Sequence, residues 1–249
     1  MDDVRSEASL ARFLAPEAAP GKRFPLNPEE AHHLRHVLRL GPGAKILLLD
    51  TQGKEYLARV ERTARREVWV KVEKLWRQEP PFTKEIILAL PLLKRDLLGF
   101  LVEKAVELGI HTVVLMETQR SVAKERRNLR QKLERRALQA LKQCRRLWSL
   151  HLEGPWPLAK VARMEAHKKL VAYEREENPL SPASFNIENH QRLLLVSGPE
   201  GGFAPEEIAL FYTQGFESIS LGSYILRAET AAFYLMCLAH SQNFLGSGN

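Results

Sequence analysis

The sequence predicts an α/β protein in which a mostly parallel sheet, covered by helices on both faces, follows a small β-rich domain. Three observations predict it. From Glu85 to about residue 240, strand and helix patterns alternate, the arrangement that builds parallel sheets. Two strand–glycine loop–helix passages, Leu193 to Phe203 and Leu221 to Ala231, fall close together in the last quarter. Paired loops at adjacent strand ends are how open sheets build a ligand crevice. Before Pro80-Pro81, Val68, Val70 and Val72 alternate with Trp69, Lys71 and Glu73, the period of a half-buried strand.

In chain order, Asn27-Pro28-Glu29-Glu30 opens a helix with a capping residue, a first-turn proline and acids at the positive dipole end. It carries His32 to Leu38 and stops near Gly41-Pro42-Gly43. Strands follow at Lys45 to Asp50, Glu55 to Glu61 and Glu67 to Leu75. Residues 1–79 are therefore expected to form a small barrel-like domain, 80–83 a linker and 84–249 a second domain. There, Glu85 to Leu90 is a strand, and Asp96 to Leu108 a helix with Leu97, Leu101, Ala105 and Leu108 on one face and Gly109 at its C-terminal turn. Thr112 to Met116 is a strand and Leu129 to Leu147 a long basic helix. Leu170 to Tyr173, Leu193 to Ser197 and Ser218 to Leu221 are strands, and Ala228 to His240 is the last helix. Glu174 to Asn189 reads as a polar, proline-bearing loop.

Composition narrows the function classes. The chain of 249 residues is 45% hydrophobic and 27% charged, ordinary globular values. Met1-Asp-Asp-Val-Arg5 lacks the apolar core of a signal peptide, and the longest apolar runs are too short to span a bilayer. Cys144 and Cys237, both in helix-like segments, fit a reducing cytoplasm better than a disulfide framework. Charge is unevenly held. Residues 120–146 carry eleven Lys or Arg against Glu125 and Glu134, a surplus of +9 against +7 for the whole chain, so the remainder sums to −2. Eight of the eleven are arginines, the usual choice for bidentate phosphate contacts, and the segment reads as a nucleic-acid-binding face.

The Gly198-Pro-Glu-Gly-Gly202 loop has the backbone freedom for close ligand approach, and Pro205-Glu206-Glu207 then starts a helix whose free N–H groups face it. It lacks the Lys-Ser/Thr ending of a nucleoside-triphosphate loop. In the second loop Arg227, Glu229 and Thr230 stand near Gly222. They either converge on a ligand or form an Arg–Glu pair capping the last helix. His32, His33 and His36 share a helix but lack the glutamate and third ligand of a metal site, so no metal is expected. Arg35 and Arg39 beside them could make a small nucleic-acid contact.

Gly198-Pro-Glu-Gly-Gly-Phe203 with Leu221-Gly and Ile225-Leu-Arg-Ala-Glu-Thr-Ala231 resembles the RsmE family of ribosomal RNA uridine N3-methyltransferases. His32-His33-Leu34 with Val37-Leu38-Arg39 is similar to that family's amino-terminal domain. Lys94-Arg-Asp, Glu103-Lys-Ala-Val-Glu-Leu-Gly109 and Arg120-Ser121 resemble the start of its catalytic domain, and Gln143-Cys-Arg-Arg146 its Gln-x-x-Arg segment. The chain departs from the pattern at Met116, Leu150, Ala204, Tyr224 and Ala228. Ala204 replaces a helix-capping hydroxyl, a loss of roughly 1 kcal/mol if uncompensated.

The resemblance implies a SPOUT-type parallel sheet with a C-terminal trefoil knot, a PUA-like amino-terminal β-barrel and a cytoplasmic homodimer. It implies S-adenosyl-L-methionine as cofactor and 16S ribosomal RNA in the small ribosomal subunit as partner, with no membrane. The family's target is N3 of uridine 1498. Carried onto this chain, the cofactor would be held by Ser197, Gly198, Pro199, Glu200, Gly201 and Gly202, and across from them by Leu221, Gly222, Ile225, Leu226 and Thr230. Arg227 would orient the uracil and Glu229, or Glu200 in its place, would take its proton. RNA would be gripped by Arg35, Arg39, Lys94, Arg95 and Arg120, and by Arg126, Arg127, Arg130 and Arg146. The alternatives are a SPOUT methyltransferase for another RNA atom and a non-catalytic RNA-binding assembly factor.

Overall fold

The computed structural model describes residues 10–64, 67–121, 128–186 and 192–245; the side chains of Arg95 and of residues 243–245 fall outside that description. The chain divides into two compact units, Met1–Pro81 with Leu141–Ser149, and Phe82–Ala140 with Leu150–Asn249.

The first unit is a curled five-stranded sheet. It comprises β1 (Arg12–Leu14), β2 (Arg23–Pro25), β3 (Lys45–Leu49), β4 (Lys54–Thr63) and β5 (Val68–Gln78), in the order β1-β3-β4-β5-β2. β1 runs parallel to β3 and the other pairs are antiparallel. Val68, Val70 and Val72 of β5 point into a core with Phe13, Leu34, Ile46 and Leu48. Three register shifts between β4 and β5 let the sheet twist enough to curl around that core. Helix α1 (Pro28–His32) starts where the capping pattern predicts: Asn27 Oδ1 accepts from the Glu30 N–H at 2.9 Å. It continues as a π-helical turn over His33–Val37, and Arg39 then takes a left-handed conformation. Strands β1 and β2, three residues each, carry no periodic signal of their own and are not foreseen from sequence.

Charges buried in this unit are paired. Glu55, 1% exposed, meets Arg12 Nε at 2.9 Å and Arg77 Nε at 3.5 Å, and Glu30 meets Lys142 Nζ at 2.9 Å. Residues 141–149, deep in the second expected domain by sequence, fold with this first unit. The Leu147 N–H donates to Glu79 at 3.1 Å, and the Trp148 indole N–H donates to the Pro80 carbonyl at 2.9 Å. The indole covers Gly53 so closely that a Cβ there would lie 2.6 Å from the ring.

The second unit is a six-stranded, wholly parallel sheet. Its strands are β6 (Glu85–Pro91), β7 (Thr112–Glu117), β8 (His151–Pro157), β9 (Lys168–Ala172), β10 (Arg192–Val196) and β11 (Glu217–Ile219), in the order β11-β9-β10-β6-β7-β8. Strands such as Ile86-Ile87-Leu88-Ala89-Leu90 are buried along their whole length, as a sheet covered on both faces requires. Its helices are α2 (Arg95–Glu107), α3 (Leu129–Cys144, whose last turn from Leu141 belongs to the first unit), α4 (Leu158–Ala162), α5 (Pro205–Thr213) and α6 (Ala228–Leu245). Ile87, Ala89 and Val114 share one core cluster with Val161 of α4 and Phe211 of α5. Helix α6 packs on β6 and against α2, where the Phe100 and Phe233 rings lie 5.9 Å apart.

Some boundaries differ from expectation. The basic helix stops at Cys144 instead of Leu147 because Arg145 is left-handed (φ 64°). β11 ends at Ile219, leaving Leu221 in the loop, and α6 runs on to Leu245. β8 is an edge strand that Gly154, Pro155 and Pro157 hide from pattern reading, since prolines within sheets are confined to such edges.

Candidate active site

The strand order creates the site. β10 lies between β6, from which the chain runs outward through β7 and β8, and β9, beyond which lies β11. Such a reversal leaves a crevice at the carboxyl ends of the strands. Three loops leave those ends side by side: Tyr173-Glu174 after β9, residues 197–204 after β10 and residues 220–227 after β11. Together with Lys94 and Leu97 at the start of α2 they line an open cleft of about 430 Å³, a size that suits a nucleoside-bearing ligand.

The 197–204 loop is held tightly. Ser197 is fully buried and its hydroxyl donates to the Ala228 carbonyl at 3.4 Å, joining the end of β10 to the start of α6. Gly198 is packed under Phe203, where a Cβ would stand 3.0 Å from the ring. Gly202, at φ 66°, closes the turn by donating its N–H to the Pro199 carbonyl at 2.9 Å. Ala204 leaves α5 without a side-chain cap, yet the reciprocal half of a capping box is present. The buried Glu207 accepts from the Ala204 N–H through Oε2 and from the Gln119 N–H through Oε1, both at 2.8 Å. The Glu207 N–H, which a capping side chain would have served, donates instead to the Ala204 carbonyl at 3.0 Å. Arg120 adds hydrogen bonds to the Gly201 and Phe203 carbonyls, at 3.2 and 3.4 Å.

The 220–227 loop is open. Gly222 and Ser220 bond to one another through the Ser220 hydroxyl, and Tyr224 and Ile225 are 87% and 88% exposed. Across the cleft stand two cations, Lys94 and Arg227, and three carboxylates, Glu174, Glu200 and Glu229. The lining is therefore polar and of mixed charge. Behind the rim, the Tyr212 hydroxyl of α5 donates to Glu176. Burial, reinforced by that carboxylate, pushes the Tyr212 phenol up to about 12, and the same hydrogen bond lowers Glu176.

Of the residues expected to hold a cofactor, Gly198, Pro199, Glu200 and Gly202 line the cleft from one side and Leu221, Gly222, Ile225 and Leu226 from the other, with Arg227 and Glu229 beside them. Ser197 lies beneath the loop, Gly201 packs against Arg120, and Thr230 is exposed outside the cleft lining. Among the residues expected to meet RNA, Lys94 lines the cleft, and Arg39 is exposed. Arg35 donates to the Ala64 carbonyl at 2.6 Å. Arg130 pairs with Glu134 at 2.9 Å, and burial lowers Arg146 to about 10. Arg126, Arg127 and the side chain of Arg95 lie outside the described residues.

Sequence reasoning missed Tyr173, Glu174, Ile219 and Ser220 as cleft residues. The strand preceding Glu174 was legible, but its place between β10 and β11 was not. The signal that could have found Glu174 is an acid directly after a strand in a sheet already known to carry a glycine loop. Among the described residues no group of three or more His, Cys, Asp or Glu could hold a metal, and no helix is long and apolar enough to cross a membrane.

The RNA methyltransferase domain family matches residues 79–240 and the RNA methyltransferase PUA domain family residues 26–73. A ribosomal RNA small subunit methyltransferase E from Rickettsia conorii is 31% identical over 81% of this chain and 82% of its own length. One of the same name from Bacillus subtilis is 27% identical over 94% of both chains. A methyltransferase from Legionella pneumophila with bound S-adenosylmethionine superposes with a TM-score of 0.87 at 27% identity, covering 93% of this chain and 97% of that one. With a PUA-like unit ahead of a parallel sheet whose strand ends frame the glycine cleft, this chain belongs to the ribosomal RNA small subunit methyltransferase E family and is an S-adenosylmethionine-dependent RNA methyltransferase.

Proposed function

We propose that this protein methylates N3 of a uridine in 16S ribosomal RNA of the small subunit, at the position corresponding to uridine 1498. The observation that carries the reading is the common lining of one cleft by both glycine loops and by Arg227 and Glu229. The relatives' names supply the RNA.

The residues fit the cofactor. The Gly198–Gly202 loop and Leu221–Leu226 would enclose adenine and ribose by backbone hydrogen bonds and apolar contact. S-adenosylmethionine supplies a methyl group made electrophilic by a sulfonium. Arg227 orients the uracil and stabilises the negative charge that develops on its oxygen. Glu229 accepts the imide proton, with Glu200 as the alternative acceptor. Holding the partners in line contributes several kcal/mol by itself. The reacting edge is the base-pairing edge, so the uridine enters unpaired or extruded. The basic segment and the amino-terminal unit grip the surrounding backbone, with Arg35, Arg39, Lys94, Arg95, Arg120, Arg126, Arg127, Arg130 and Arg146 as the contacts proposed. A knotted, dimeric, cytoplasmic enzyme completes the reading.

The test incubates the protein with labelled S-adenosylmethionine and unmethylated small subunits, then digests the RNA and identifies the product. N3-methyluridine is expected. A different methylated nucleoside overturns the specificity, and cofactor and RNA binding without product overturns the catalytic role.

A further inference from the structure

Glu174 stands two residues beyond the end of β9, on the cleft rim. β9 is the direct neighbour of β10, the strand that carries the Gly198–Gly202 loop. In dinucleotide-binding sheets, which have another topology, an acid downstream of the glycine loop meets a ribose hydroxyl. Here the acid comes before the glycine loop in sequence, and the pairing of β9 with β10 brings it alongside. A Cβ built on Gly202 would lie 3.5 Å from Glu174 Oε1, so the carboxylate rests against the glycine turn.

We propose that Glu174 is the ribose-recognising residue of the cofactor site, accepting hydrogen bonds from both vicinal hydroxyls of the adenosyl group. The inference rests on the reading of this cleft as the cofactor site. An ionised carboxylate is purely an acceptor with two oxygens, which matches a diol offering two donors. Its position is fixed from both sides. Ala172 is registered against Ile219 of β11. Beyond it, Glu176 accepts from Tyr212, and the Leu180 N–H donates to the Ser218 carbonyl at 2.8 Å. Arg175 Nε, 3.7 Å away and largely exposed, holds the carboxylate weakly and yields to a ligand. The cleft's other carboxylates are placed for other work: Glu200 lies within the glycine loop and Glu229 at the start of α6 beside Arg227.

The experiment measures dissociation constants by titration calorimetry on the full chain. Its probes are S-adenosylhomocysteine, 5′-methylthioadenosine and the 2′-deoxy form of the latter. In the unsubstituted protein the deoxy probe should bind about tenfold more weakly than its parent. Glu174→Ala should bind S-adenosylhomocysteine and 5′-methylthioadenosine about tenfold more weakly or worse, and should no longer distinguish the deoxy probe. Glu174→Gln, nearly isosteric and keeping one acceptor, should fall between and guards against misfolding. A Glu174→Ala protein that still discriminates the deoxy probe overturns the proposal. So does a loss seen with S-adenosylhomocysteine but not with 5′-methylthioadenosine, which would put the carboxylate on the amino-acid ammonium. Gly222→Val separates the two levels of inference. If it abolishes binding while Glu174→Ala is silent, the ribose role alone falls. If neither changes any affinity, the cleft is not the cofactor site and both readings fall.

Discussion

The two loops that wall the cleft are built on opposite plans. The 197–204 loop is braced from three directions, by the buried Glu207 carboxylate, the Arg120 guanidinium and the Phe203 ring over Gly198. The 220–227 loop bonds locally around Ser220 and Gly222 and turns Tyr224 and Ile225 outward. A braced wall sets position before a ligand arrives, at little further cost in ordering on binding. An open wall with bare apolar side chains has its burial still to come, from the ligand or from a second copy of the chain. Of the proposed catalytic pair, Arg227 ends the open wall while Glu229 stands in the first turn of α6, whose start is tied to Ser197, so the proposed uracil-orienting group and the fixed geometry enter the cleft from different sides.

The largest effect expected is on Arg227. Arg227→Ala should lower single-turnover methyl transfer by about a hundredfold or more while S-adenosylhomocysteine affinity stays close to that of the unsubstituted protein. Turnover unchanged in that variant would remove the division of labour between the walls.

Next comes the brace. Glu207→Ala leaves the buried Ala204 N–H and the part-buried Gln119 N–H without their acceptor and should lower the unfolding free energy by about 2 kcal/mol in urea denaturation. Glu207→Gln should lose less. A stability change no larger than that of an exposed-wall variant would mean the first loop is not braced at all.

Ile225→Ala should leave stability within about 0.5 kcal/mol yet raise the cofactor dissociation constant about fivefold, as expected if the side chain is buried on binding. A variant that loses stability instead would show that the open wall is already packed.

The smallest effect concerns the rim. The Tyr212 phenol sits at about 12, above its ordinary 10. A raised folded-state value means that its contribution is complete below about pH 10 and is lost as pH rises through about 12. The ultraviolet titration, read as a difference against Tyr212→Phe, should show one tyrosine ionising in that higher range. A midpoint near 10 would release Glu176 from its tether.

What was legible in the sequence follows from what local chemistry encodes. Asn27-Pro28 announces a helix, and the Val68–Val70–Val72 alternation a strand, because each signal is complete within a few residues. The glycine loops were legible because backbone freedom has a compositional signature. β8 was hidden by its own prolines, tolerated at an edge that exists only once strand order is set. Glu174 was hidden for the same reason, since adjacency of β9 to β10 is a property of the sheet. At Ala204 the capping pattern was read by its missing first residue, although its fourth, Glu207, was in plain view.

Residues 141–149 carry a consequence for biosynthesis. Trp148 covers Gly53 and Leu147 reaches Glu79, so the first unit, made before the second, lacks a piece of itself until well into translation of the second. It cannot finish folding as an independent early product. A truncation after Pro81 would expose the ground beneath Trp148, and a nascent chain passes through that unfinished state every time it is made.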